Sequence, residues 1–211
     1  QASAVALTAT ALDRTVAVTI NPAPTSGSPW TIFPLVSAPT GAQMSFGGQP
    51  VAVTSSSISV SYRSSDAAYT RLNLYAGSAG QSLTPPLVQY TRILTDTPSA
   101  LSVAIPTMTT TPLTCTTTTC TTTLGMTNAP DGSTVSAFLV PSSTYYSSAN
   151  PALTQGQAAS ASMALSFTKP ADGSYVVMAY LNPAGSSGSA PPAWSWSLRG
   201  ATTLTVATAP S

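Results

Sequence analysis

The same unit occurs twice in this chain of 211 residues. Asp66-Ala67-Ala68-Tyr69 returns 106 residues later as Asp172-Gly173-Ser174-Tyr175. Pro85-Pro86-Leu87-Val88-Gln89-Tyr90 returns at the same spacing as Pro191-Pro192-Ala193-Trp194-Ser195-Trp196. Leu7 falls on Leu113, Val18 on Leu124 and Ile20 on Met126. Agreement at one offset in separated segments means two copies of one fold. The boundary lies close to Pro106, giving domains 1–106 and 107–211.

Within each copy the apolar residues recur every second position. Val16, Val18 and Ile20 alternate with Thr15, Ala17 and Thr19, and Leu165 and Phe167 flank Ser166. A period of two is the pattern of a strand with one face buried, and Pro and Gly punctuate the runs. Each copy holds about seven such runs in roughly a hundred residues, the size and spacing of an immunoglobulin-like sandwich. The expected fold is therefore all-β: two tandem Ig-like antiparallel β-sandwich domains. The halves should match strand for strand, with Tyr69 equivalent to Tyr175 and Val88 to Trp194. Helices as a major element, or one undivided sheet crossing Pro106, would contradict that expectation.

Composition narrows function by exclusion. Charged residues are 5% of the chain and the net charge is +1, against about 25% charged in an ordinary soluble domain. The six basic residues stand singly, so no patch is present to neutralise a row of phosphates, and nucleic-acid binding is not expected. The chain has no His and no Glu. A Ser–His–Asp or Cys–His centre and a His-based zinc site are thus impossible. Lys169, the only lysine, sits beside Pro170 in a turn-like stretch. The expectation is a non-enzyme without cofactor. No run approaches the roughly 18 apolar residues of a membrane span. None of the asparagines opens an Asn-x-Ser/Thr acceptor, and Gln1 in place of Met fits a removed leader or a fragment.

The run 172–181, Asp-Gly-Ser-Tyr-Val-Val-Met-Ala-Tyr-Leu, resembles the turn and following strand of immunoglobulin-like surface proteins of archaea and bacteria. In those proteins a tyrosine opening the strand bonds back to the preceding turn. The resemblance implies that Tyr175 and Tyr69 hold that place here. It is short and concerns the fold, not an activity.

Residues 107–127 are mostly threonine and, read alone, look like a mucin-type linker. Aligned with residues 7–20, they read instead as two strands of a hairpin, for which threonine is well suited. Cys115 then lies opposite the Ala9 position of the repeat and Cys120 beside the Asp13-Arg14 turn, so the two flank a loop of Thr116 to Thr119. Facing residues of an antiparallel pair are close enough for a disulfide. An intramolecular Cys115–Cys120 bridge is the expected outcome. A metal site and a bridge between subunits are the competing readings.

Trp194 and Trp196 share one face of a strand. Their counterparts Val88 and Tyr90 favour a core or interface role, and a sugar-stacking surface is the alternative. Tyr145 and Tyr146 are the other aromatic candidates for ligand contact. Val176 to Leu181 is an unbroken apolar run, so both faces of that strand need cover. The cover is either a neighbour, with Val176, Met178 and Tyr180 as subunit contacts, or the chain's own 141–161 segment. A surface of Ser, Thr, Gln and Gly with so little charge favours self-association. These features are similar to those of subunits of extracellular surface filaments and envelope layers. The function expected is a homopolymeric structural subunit at the cell surface, open to O-linked glycans. Donor-strand linkage would use Ala4 to Ala11, with Val5 and Leu7 as contacts. An adhesion or carbohydrate-binding module and a viral coat protein are the alternatives.

Overall fold

A computed structural model describes residues 12–23, 30–37, 44–46, 51–64, 69–76, 88–94, 98–143, 152–158, 162–186 and 192–207. Among these residues there are strands and turns and no helix. The first half contributes β1 (Leu12–Asn21), β2 (Trp30–Ser37), β3 (Met44–Phe46), β4 (Val51–Val53), β5 (Ser57–Ser64), β6 (Tyr69–Ala76), β7 (Val88–Leu94) and β8 (Ala100–Ala104). The second contributes β9 (Thr107–Thr110), β10 (Thr114–Cys115), β11 (Thr119–Thr127), β12 (Ser133–Pro141), β13 (Ala152–Ala158), β14 (Ser162–Thr168), β15 (Gly173–Pro183), β16 (Trp194–Arg199) and β17 (Leu204–Val206).

The alternation read in the sequence is the alternation of burial. Val16, Val18 and Ile20 of β1 are buried while Thr15, Ala17 and Thr19 are exposed. Met163, Leu165 and Phe167 do the same in β14. Burial of a Leu- or Phe-sized side chain stabilises by about 1.5–3 kcal/mol, so these rows decide which face turns inward.

Two small sheets each stay within one half. One runs β5-β1-β8, and the other runs β10-β11-β14 with β9 also paired to β11. β8 joins β1 in parallel, from Ala17–Ala100 to Asn21–Ala104. β9 takes the corresponding edge of β11 in antiparallel fashion. Only Ile105 and Pro106 separate β8 from β9, so one short link completes both small sheets.

The large sheet departs from the expectation. Its ten strands run β13-β12-β15-β16-β7-β6-β2-β3, with β17 beside β15 and β4 beside β2. Five strands come from each half, and the halves meet where β7 pairs antiparallel with β16. The two halves are therefore not separate sandwiches: their large sheets are one. The physical reason is that β7 and β16 are the same edge strand of the repeat, and mutual pairing satisfies two rows of backbone groups that an edge leaves open. One core follows the joined sheet, including Ile32, Leu74 and Tyr90 from the first half and Trp196, Leu181 and Phe167 from the second.

The repeat is not kept uniformly along the ladders. Leu74 faces Tyr90 and Leu181 faces Trp196, so β6 and β15 correspond 107 residues apart, one more than β7 and β16. Tyr69 thus shares its ladder position with Val176 rather than with Tyr175. The side chain of Tyr69 lies outside the described residues. Tyr175 is buried and its hydroxyl donates to the Ala171 carbonyl at 2.8 Å, the back-bond that the resemblance implied. Tyr175→Phe is expected to cost about 1 kcal/mol, read by denaturant unfolding, with the fold retained.

The threonine-rich stretch is a hairpin, with the Cys115–Cys120 bridge in place and the two residues paired directly. Their Cα atoms are 4.0 Å apart. Inside the loop, the Thr116 hydroxyl accepts from the backbone N–H of Thr118 and Thr119. Deeper in, the buried Thr122 hydroxyl donates to the Thr111 carbonyl at 2.6 Å. The side chains that look like a linker by composition thus serve as local hydrogen-bonding partners of the ladder. Replacing both cysteines by serine is expected to lower stability by about 2 kcal/mol, the loop closed being short. Intact-mass analysis before and after reduction checks the bridge, and thermal melts check its contribution.

Candidate functional site

The junction of the halves is the candidate site, because the repeat symmetry and two of the three tryptophans coincide there. β7 pairs with β16 through Val88–Leu198, Gln89–Ser197, Tyr90–Trp196, Thr91–Ser195 and Arg92–Trp194. Val88 faces the repeat counterpart of Arg92, Gln89 faces that of Thr91, and Tyr90 faces its own counterpart, Trp196. A pseudo-two-fold axis therefore passes through the Tyr90–Trp196 pair. This is the geometry of an isologous dimer interface, built here inside one chain. One more backbone bond, from the Ile93 N–H to the Ala193 carbonyl at 2.9 Å, extends the joint.

Trp196 is 2% exposed and Tyr90 8% exposed. Their ring centroids lie 4.5 Å apart with planes inclined by 35°, within the range where aromatic pairs attract beyond area burial. Burial pushes the Tyr90 phenol above its ordinary pKa of 10.0, opposed by the nearby Arg92 guanidinium. The folded state thus holds this proton more tightly than the unfolded chain does. The stabilisation is fully present below about pH 10 and is lost as pH rises through the raised folded value. With no His or Glu in the chain, stability is expected to be nearly flat from about pH 5 to 9 and to fall in alkali. Urea titrations at stepped pH check this, and Tyr90→Phe should shallow the alkaline limb.

A cleft of about 370 Å³ opens beside the aromatic pair. Its lining includes Tyr90, Trp194 and Trp196, with Val103 of β8, and Asn128 and Asp131 from the turn before β12. Asn128 adopts a left-handed backbone conformation, φ 56°, and its amide donates to the Ile105 carbonyl at 3.4 Å. Asp131 is the one carboxylate of the lining. Among the described residues no group of three His, Cys, Asp or Glu side chains gathers. The arrangement is suited to packing and to holding the halves together.

The other sequence candidates divide as follows. Trp194 is half-buried and Trp196 is in the core, both turned toward the inner face of the large sheet, where they line the cleft beside Tyr90. Val176 and Met178 are 4% and 3% exposed and pack with Val140 in a second, smaller cluster on the opposite face, with half-buried Phe138 and Tyr180 against it. Phe138 and Tyr180 meet edge to face at 5.4 Å. Arg199, paired opposite Met178, donates to the Ser142 carbonyl at 2.9 Å and ties β16 to the turn after β12. Cover for Val176 and Met178 thus comes from within the chain. Val5, Leu7, Tyr145 and Tyr146 lie outside the described residues. The β7–β16 joint itself was missed by sequence reasoning. The only available signal was that the repeat aligns Tyr90 with Trp196.

No helix among the described residues is long and apolar enough to cross a membrane. The disulfide fits an oxidising compartment. In comparisons with family models, curated proteins and solved structures, the chain matches none.

Proposed function

We propose that this chain is a structural subunit of an extracellular surface assembly, a homopolymer of tandem Ig-like units that carries no catalysis. The observation that carries the reading is the fusion of two repeats into one ten-stranded sheet. Two domains joined by a linker hinge freely, whereas two domains sharing a hydrogen-bonded sheet and one core move as a single body. Such a body suits bearing load or holding a lattice spacing. The near absence of charge supports the same reading, since little electrostatic repulsion opposes contact between copies. The burial of Trp196 in the joint favours a structural role for that side chain over ligand contact. Electron microscopy of the native material is the test. Filaments or sheets with the chain as their main component are the expected result, and dispersed monomers at high concentration would overturn the proposal.

A further inference from the structure

The large sheet ends in two strands that are the same element of the repeat. One end is β13, at residues 152–158. The other is β3 together with β4, which lie end to end along β2 within residues 44–53. Shifted by the repeat spacing, residues 44–53 become 150–159, which contain β13. Among the described residues no strand pairs with the far side of β13, of β3 or of β4.

Along these edges the chemical guards are confined to the strand starts, Pro50 before β4 and Pro151 before β13. Natural edge strands are commonly protected by lysines, other charges or proline. Ala-Leu-Thr-Gln-Gly-Gln-Ala of β13, Met-Ser-Phe of β3 and Val-Ala-Val of β4 contain none of them. What interrupts them is geometric: β13 shifts register twice against β12, and β3 and β4 are separate short strands. The interruptions fall at matching places of the repeat, so the two edges have the same shape. The molecule also contains a precedent, because β7 and β16 are equivalent edges that already join antiparallel across a pseudo-two-fold axis.

We infer that β13 of one copy pairs with β3 and β4 of a second copy, continuing the large sheet from molecule to molecule. The inference rests on the assembly proposed above and names its contact. Each copy offers one donor and one acceptor edge, so the contact is heterologous and propagates instead of closing. In the resulting polymer, internal joints through β7 and β16 alternate with external joints through β13 and β3–β4. Equivalent strands lie side by side at both.

The test uses the full chain, followed by sedimentation and electron microscopy, with circular dichroism and melting temperature as controls for folding. Ala52 is exposed on β4 and Gln155 lies within β13. Ala52→Lys combined with Gln155→Lys places two like charges at each intermolecular joint and should lower the assembled fraction by about tenfold. Ala52→Lys combined with Gln155→Asp places opposite charges there and should restore assembly. Restoration separates this joint from one between two β13 strands, where paired aspartates would still repel. The inference is overturned if both variants assemble as the parent chain does, or if the lysine–aspartate variant fails to recover while remaining folded. As a second readout, Ala52→Cys and Gln155→Cys proteins are mixed in equal amounts. The expected result is a disulfide-linked heterodimer, and its absence from formed assemblies also overturns the inference. A parent chain that never assembles sinks the proposed function, whereas a parent that assembles regardless of these substitutions sinks only the joint.

Discussion

Trp196→Ala is expected to lower the unfolding free energy by about 4 kcal/mol and to split one unfolding transition into two. The size follows from truncating a nearly fully buried tryptophan, since Phe/Trp→Ala changes in cores cost about 3–5 kcal/mol. The splitting follows from its position. Trp196 lies on the pseudo-two-fold axis, stacks on Tyr90 of the other half and belongs to the core shared by both. Its removal strips the aromatic contact from a joint whose remaining backbone pairing spans only five residue pairs. The first half retains its own small sheet and the row of Val16, Val18 and Ile20. The second retains Met163, Leu165 and Phe167. Calorimetry is the check: a single sharp transition, merely shifted, would show that the halves do not depend on this side chain for coupling.

Phe167→Ala should cost a similar amount, about 4 kcal/mol, with a different signature. Phe167 is 1% exposed and lies on β14, in the small sheet of the second half, opposite disulfide-bonded Cys120. β14 pairs with β11 and not with β7 or β16, so the backbone pairing of the joint stays intact. The loss is then shared by both halves, and the melt is expected to remain a single transition at lower temperature. Hydrogen exchange adds the spatial resolution, with amides of β11 and β14 losing protection first. Equal loss in β1 and β5 at the outset would contradict this.

Much of the architecture could be read from the residues alone, because burial writes a period of two into a strand. Val16-Ala17-Val18-Thr19-Ile20 and Met163-Ala164-Leu165-Ser166-Phe167 show it directly. The Cys115–Cys120 pairing was legible for a related reason: the repeat fixed the hairpin, and the hairpin fixed which residues face each other. The joint was not legible. Periodicity states which face of β7 and β16 is buried, but not which strand lies beside them, and Tyr90 and Trp196 turn inward whether or not those strands meet. The parallel pairing of β8 with β1 was hidden in the same way, since Val103 alternates with its neighbours as it would in an antiparallel strand. The apolar run from Val176 to Leu181 did signal that both faces of β15 are covered. It did not say that Val140 and Phe138 of the adjacent strand share that cover.

The measurement that tests the joined sheet most directly is a map of cross-strand backbone proton contacts by nuclear magnetic resonance on the labelled chain. Close α-proton and amide contacts are expected between Tyr90 and Trp196, between Arg92 and Trp194, and between Val88 and Leu198. They should accompany the ladders within each half. Complete ladders for β6–β7 and β15–β16, with no contact between β7 and β16, would contradict the single sheet and leave two independent domains.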